Sequence, residues 1–244
     1  MEPTRKYNAI IIGATGAVGR ELITQLLNSN EYSKITIFVR RTIDRWSLLS
    51  ESHKKILNII KVDNLDFLSG TKEELEKKLN DSIQYDVLFN VLGSRVGRGE
   101  EEFRKVDYTY VIQSCEMCEK LNIKHFSHCS SMGTSKDSWF LYMRVKGEAE
   151  EEEMKKNVDY ITIFKPGMLL NRDNDMRIGE KFASWIPFAP KIDVKDLARA
   201  MYLNDIQYQK MEVKEKKKVK FENSDILKIV ENGKKKVLFT PEKK

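Results

Sequence analysis

Tyr7-Asn-Ala-Ile-Ile-Ile-Gly13-Ala-Thr-Gly16-Ala-Val-Gly19 is the stretch on which the fold turns. Tyr7–Ile12 is an apolar run of strand length, and Ala17–Asn28 carries Val18, Leu22, Ile23, Leu26 and Leu27 at helical spacing. Three glycines join them. Gly13 suits the tight turn out of the strand, Gly16 leaves room for a pyrophosphate beside the backbone, and Gly19 lets the helix approach the sheet. The N–H groups and dipole at the start of such a helix attract phosphate charge, so Gly13, Thr15, Gly16, Ala17, Val18 and Gly19 become candidate cofactor contacts. The spacing is G-x-x-G-x-x-G and not G-x-G-x-x-G. Its weight comes from its place between a strand and a helix.

The same rhythm continues outward. Lys34–Val39, Ile59–Val62, Tyr85–Leu92, His125–Ser130 and Tyr160–Lys165 read as further strands. Between them lie helical stretches at Thr71–Asn80, opened by a Thr71/Glu74 capping box, at Glu101–Leu121 and at Ser138–Lys156. Repeated β-α-β units predict right-handed crossovers and an α/β fold, a Rossmann-like doubly wound parallel sheet with a small C-terminal substrate-side extension. From Asn171 the pattern loosens, with a Pro187–Pro190 break before a helix at Asp193–Leu203. The expected organisation is a dinucleotide-binding domain over residues 1–209, including a substrate-side segment at 171–192, and a basic appendage over 210–244.

Cofactor choice depends on the residues after the second strand. Arg40-Arg41 stands there, where an NAD-selecting protein carries a carboxylate. Two guanidinium groups suit a ribose 2′-phosphate, so NADP(H) is favoured over a merely solvated arginine pair. Asp63, after the third strand, is placed to accept from an adenine amino group, and a turn-forming role is nearly as well supported. Leu92-Gly93 ends the fourth strand, near the expected ribose and pyrophosphate.

Tyr142-Met-Arg-Val-Lys146 sets a phenol and an ammonium one helical turn apart. A free phenol has a pKa near ~10. A close cation favours the phenolate, which lets Tyr142 give or take a proton at a carbonyl or alcohol oxygen. Lys146 is also expected to hold the nicotinamide ribose. Ser130-Ser131 ends the fifth strand at the sheet edge where ligands bind. Ser131 is the preferred hydroxyl for the reacting oxygen, with Ser130 as substitute. Tyr-x-x-x-Lys is common by chance, and its weight here comes from the glycine loop and from Ser131 lying 11 residues before Tyr142.

Composition limits the alternatives. The 244 residues carry 43 basic and 37 acidic side chains, a formal charge of +6. Residues 210–244 hold 12 lysines and 6 acids, so the first 209 residues are charge-neutral and nucleic acid is an improbable partner. No apolar run has membrane-spanning length, and the N-terminus reads as lacking a secretory signal. Cys115, Cys118 and Cys129 point to a reducing, cytosolic compartment. Cys115-Glu-Met-Cys118 falls inside a helix, whereas a redox C-x-x-C needs a helix start, and no metal-ligand spacing occurs. His125 and His128 read as structural. Trp139, Trp185 and Phe188 could line a substrate mouth or simply pack. Lys216–Lys218 and Lys234–Lys236 read as a solvated terminal appendage.

The glycine loop, Arg40-Arg41, Leu92-Gly93, Ser130-Ser-Met-Gly133 and above all Phe140-Leu-Tyr-Met-Arg-Val-Lys-Gly-Glu148 resemble the atypical short-chain dehydrogenases/reductases. More narrowly, the chain is similar over roughly residues 7–227 to the Tat-interacting protein family of NADPH-binding oxidoreductase-like proteins. Phe164-Lys-Pro-Gly-Met-Leu-Leu170, Arg177 and Ala198-Arg-Ala-Met201 continue the likeness. The resemblance implies an NADPH-binding Rossmann-like domain with Tyr142 at the active site and Leu169 and Arg177 added to the cofactor contacts. Ser131, Tyr142 and Lys146 together point to a small carbonyl substrate; the resemblance implies, alternatively, a regulatory protein acting through protein partners in transcription or nuclear import, and the expected state is a monomer or weak dimer in the cytoplasm and nucleus. The segment Ile178–Lys191 is shorter than the family's, and the tail after Lys228 is longer and more basic.

Overall fold

The computed structural model of the chain describes residues 5–79, 83–94, 96–172, 190–211 and 216–238. The N-terminal half contains β1 (Tyr7–Ile12), α1 (Ala17–Asn28), β2 (Tyr32–Val39), α2 (Glu51–Ile56), β3 (Leu57–Lys61), α3 (Lys72–Leu79) and β4 (Val87–Asn90). Next comes a long helix in three parts: α4 (Glu100–Arg104), a π-helical turn (Lys105–Thr109) and α5 (Tyr110–Leu121). β5 (His125–Cys129), α6 (Leu141–Glu153), β6 (Tyr160–Lys165), β7 (Met168–Leu170), β8 (Lys191–Asp193), α7 (Val194–Gln209), β9 (Lys217–Glu222) and α8 (Asn223–Leu238) follow.

Seven strands form one sheet in the order β3-β2-β1-β4-β5-β6-β9, and every neighbouring pair is parallel. Strand alternation sorts the apolar residues to two faces. Ala9, Ile11, Ile35, Ile37, Val87 and Phe89 join Leu22, Leu26, Leu197 and Met201 of α1 and α7 on one side. Ile10, Ile12, Phe38, Leu88 and Phe126 join Leu75, Cys115, Met117 and Cys118 of α3 and α5 on the other. Both faces are covered, so β1 reads as an unbroken apolar run from Ala9 to Ile12. This is the Rossmann-like, doubly wound arrangement. Strand order reverses between β1 and β4, which opens a crevice at their carboxyl ends.

The expected capping box closes α3. The Glu74 side chain accepts from Thr71 N at 2.7 Å, and Thr71 Oγ1 accepts from Glu74 N at 3.3 Å. Among the described residues no helix is long and apolar enough to cross a membrane.

In sequence, Lys216–Lys218 reads as part of a solvated terminal appendage. Lys217–Glu222 is instead the seventh strand of the sheet, paired with β6 from Tyr160↔Lys217 to Lys165↔Glu222. Val219 and Phe221 are half-buried on one face, while Lys218 and Lys220 alternate to the other and reach the Met154 carbonyl and Glu150 of α6. Lysine stems tolerate such an edge, and their charge discourages further strand addition. The tail segment thus caps the sheet. α8 packs Ile226 and Val230 into the core on the α1/α7 side.

Candidate active site

Gly13 leaves β1 with φ +95°, a backbone conformation that strains any side-chain-bearing residue. A Cβ there would stand 2.7 Å from the Val91 carbonyl carbon, so the loop lies directly against the chain leaving β4. Gly16 is the N-cap of α1, and no side chain caps it. The turn is closed by Gly16 N to Gly13 O at 3.0 Å and braced by Arg20, whose Nη1 donates to Thr15 O at 2.9 Å. An uncapped helix start, free of acidic residues in its first turn, is suited to an anion. Thr15, Gly16 and Ala17 are half-exposed around it, while Val18 and Gly19 are buried beneath.

Arg40 and Arg41 follow β2 directly, and both are exposed. Asp63 is exposed just beyond β3. On the opposite side of the crevice, Leu92 N donates to Asn90 Oδ1 at 3.0 Å. Asn90 is fully buried at the end of β4, and its Nδ2 has no partner among the described residues. An Asn closing an apolar strand carries no local pattern that would single it out in the sequence. Leu92 and Gly93 are half-buried. Leu169 is buried on β7, which pairs with β8. Arg177, Trp185 and Phe188 lie outside the described residues.

The Tyr-x-x-x-Lys pair sits on the first turns of α6. Tyr142 is half-buried and stacks on Phe103, with ring centroids 5.8 Å apart. Lys146 is buried, its Nζ 5.7 Å from the Tyr142 ring centroid. The lysine does not face the phenol alone. Its Nζ is 2.9 Å from Asp107 Oδ1, a fully buried carboxylate on the π-helical turn. Asp107 Oδ2 accepts from Ser94 N at 2.8 Å and from Ser94 Oγ at 2.6 Å. Burial alone would lower the Lys146 pKa, but the Asp107 charge, the Tyr142 phenol and the hydrogen bond to Asp107 outweigh it and raise it. Lys146 is therefore a fixed cation at neutral pH.

The two serines separate in role. Ser130 is buried and its Oγ donates to Glu150 Oε1 at 2.6 Å, which commits that hydroxyl to the scaffold. Ser131 is half-buried, and its hydroxyl makes only a 3.5 Å contact with the Met132 carbonyl. Thr134 bonds both the Glu150 carboxylate and the Ser131 carbonyl, so Glu150 holds the turn that carries Ser131. Lys220 of β9 reaches Glu150 Oε2 at 2.9 Å, and Lys165 lies 3.4 Å from the same oxygen.

Cys115 and Cys118 are buried within α5, and burial pushes both thiols up. His125 opens β5 at the end of the sheet opposite the site, with Nδ1 2.7 Å from Asp205 Oδ1. The other oxygen of Asp205 accepts from Tyr32 Oη at 2.5 Å. His128 pairs with Glu153 at 2.8 Å. Trp139 stands almost wholly exposed before α6, and Arg144 braces its loop through the Ser138 and Trp139 carbonyls. Among the described residues no group of three or more His, Cys, Asp or Glu side chains could hold a metal ion.

A phosphate-ready glycine turn at the switch point of a seven-stranded parallel sheet defines a nicotinamide-dinucleotide-binding protein of Rossmann-like fold. The cradle fits such a group, because a Cβ on Gly13 or Gly19 would collide with backbone and the helix start is uncapped. The chain belongs to the NAD(P)H-binding family, whose pattern it matches over residues 13–202, a span that includes the glycine loop, Tyr142 and Lys146. It is 33% identical to Protein HTATIP2 of Rattus norvegicus over 72% of this chain and 68% of that protein. It is 30% identical to the mitochondrial protein FMP52 of Candida albicans over 73% of this chain and 75% of that protein. Among solved structures, a putative NAD-dependent epimerase/dehydratase from Bacillus halodurans superposes with a TM-score of 0.64 at 22% identity, covering 93% of this chain and 99% of that one. That last likeness is one of fold.

Proposed function

We propose that this protein is an NADP(H)-dependent oxidoreductase of the short-chain dehydrogenase type, acting on a small carbonyl or alcohol. The observation that carries the reading is the juxtaposition of Tyr142 with the buried cation of Lys146 on one face of α6. The glycine loop and the start of α1 would hold the pyrophosphate, Leu92, Gly93 and Leu169 would flank the ribose and ring, and Lys146 would bind the nicotinamide ribose. When bound, the cofactor supplies or accepts hydride. Tyr142 gives a proton to the carbonyl oxygen or takes one from the alcohol. Ser131 donates a hydrogen bond to that oxygen from a hydroxyl held only by a long 3.5 Å contact to the Met132 carbonyl. Removing the phenolic hydroxyl by Tyr142→Phe should lower kcat by about 100-fold or more while leaving the dinucleotide Kd within a few-fold of wild type. Equal turnover by the two proteins would sink the assignment.

Arg40 and Arg41 support the phosphorylated cofactor. Each can donate charge-assisted hydrogen bonds to a 2′-phosphate, worth about 1.5–3 kcal/mol. Replacing both with alanine should weaken NADPH binding by about 100-fold and leave NADH nearly unchanged, as read by fluorescence titration. If both cofactors lose affinity equally, the arginines do not read the phosphate.

A second reading is a regulatory protein that binds NADP(H) and acts through protein partners, with little turnover. The specific observation in its favour is the Asp107 carboxylate, which neutralises the cation beside the phenol. Under either reading we favour a reducing cytosolic compartment, since Cys115, Cys118 and Cys129 are buried free thiols. The name of the fungal relative points to the mitochondrion, whose matrix would serve equally.

A further inference from the structure

The long helix between β4 and β5 is regular except at Lys105–Thr109, where one π-helical turn widens it. Such turns re-aim side chains and concentrate at functional sites. The side chain this one delivers is Asp107, wholly buried, where carboxylates are rare unless paired. One oxygen meets Lys146 Nζ at 2.9 Å, and the other takes both the N–H and the hydroxyl of Ser94. The carboxylate thus ties the end of β4, where Leu92 and Gly93 lie, to the helix that carries Tyr142.

We propose that Asp107 is a positioning residue: it fixes Lys146 in an ion pair and opposes the positive field that Lys146 exerts on Tyr142. This rests on the reading of Tyr142 as the proton-transferring group. Among the described residues the charged and titratable groups around the pair are few. Asp107 comes from the π turn and Cys129 from the end of β5, where it also favours the lysine cation. From α4, Phe103 stacks on the phenol. Its neighbour Arg104 is occupied by Glu148 and Glu100. Asp107 is therefore the one carboxylate in contact with Lys146 among the described residues, and a ligand hydroxyl that drew the lysine away from it would sharpen the field on the phenol.

The test is Asp107→Asn, which keeps the side-chain shape and an acceptor for Ser94 but removes the charge. Tyr142 ionisation is followed by carbon-13 NMR of labelled tyrosine, with Tyr142→Phe identifying the resonance. The titration should move toward neutral by about one pH unit, a tenfold change in the ionisation constant. Asp107→Glu, which restores the charge, should return it most of the way. Adding Lys146→Met to Asp107→Asn should abolish the shift, because the effect runs through the lysine. An unmoved or raised titration in Asp107→Asn overturns the proposal. So does an equal shift in Asp107→Glu, which would report disrupted packing and not charge. The phenol titration needs no turnover: if Tyr142→Phe keeps full activity while Asp107→Asn still moves the phenol, the catalytic reading falls and the electrostatic assignment stands.

Discussion

Replacing Glu150 with leucine should cost about 3–5 kcal/mol of folding free energy, the range for removing one member of a buried ion pair. The Glu150 side chain is 1% exposed, yet it organises four donors. Ser130 and Thr134 bond its Oε1, and Lys220 and Lys165 converge on Oε2. Leucine would leave the Lys165 ammonium, whose side chain is 10% exposed, with Glu222 and the Thr134 carbonyl, each at 3.5 Å. It would also strand the Ser130 hydroxyl, while Thr134 keeps its bond to the Ser131 carbonyl. Lys220→Ala should cost far less, because Lys220 is partly solvated and Lys165 still compensates the carboxylate.

The effect also has a pH signature. Burial pushes the Glu150 carboxyl up, but hydrogen bonds from Ser130, Thr134 and Lys220 and the Lys220 charge bring it below its ordinary value of 4.5. A lowered folded-state pKa stabilises the protein above the unfolded value, and that stability is lost as pH falls through the folded value. Urea denaturation of the wild type should therefore show stability falling below about pH 4.5, and Glu150→Leu should lack that component of the fall. A variant that unfolds at the wild-type urea midpoint at pH 7 would show the cluster to be dispensable. Because Glu150 also holds the turn bearing Ser131, any turnover should fall with it.

The contrast between Glu150 and Tyr142 shows what a sequence can disclose. Tyr142 and Lys146 were legible because a helix places residues four apart on one face. The glycine loop was legible because its three small residues fall between a strand and a helix. Each of these patterns is local. Asp107, Glu150, Glu153 and Asp205 act through partners brought close only by folding: Ser94 and Lys146, Lys220, His128, and Tyr32 with His125. Each sits in a stretch that otherwise reads as an ordinary amphipathic helix. β9 was hidden for a different reason. Its alternation is carried by Val219 and Phe221 among lysines, and lysine at a sheet edge looks in sequence like lysine in a solvated tail. The π turn leaves no compositional mark, because it inserts a residue into a helix without breaking it.

Gly19→Ala should reduce dinucleotide affinity by about 100-fold, some 2.7 kcal/mol, and destabilise the fold by about 1–3 kcal/mol. A Cβ at Gly19 would lie 2.3 Å from Gly13 O, 2.8 Å from Ala14 Cα and 3.0 Å from Ala14 C. All three are backbone atoms of the loop, so no side chain can swing aside to relieve the contact. Either α1 lifts away from the sheet, exposing Leu22 and Leu26, or the turn shifts and its amides leave the position a phosphate needs. Gly16→Ala separates these effects. Its Cβ would stand 3.3 Å from Gly13 O, and the residue has φ −71°, so alanine is compatible with the backbone there. That variant should fold at nearly wild-type stability and still bind the dinucleotide more weakly, because the new methyl group stands at the exposed mouth of the turn. Thermal melts together with fluorescence titration of NADPH resolve the pair. Wild-type affinity in Gly19→Ala would mean that the dinucleotide does not rest on this turn, and the assignment of the crevice would fall with it.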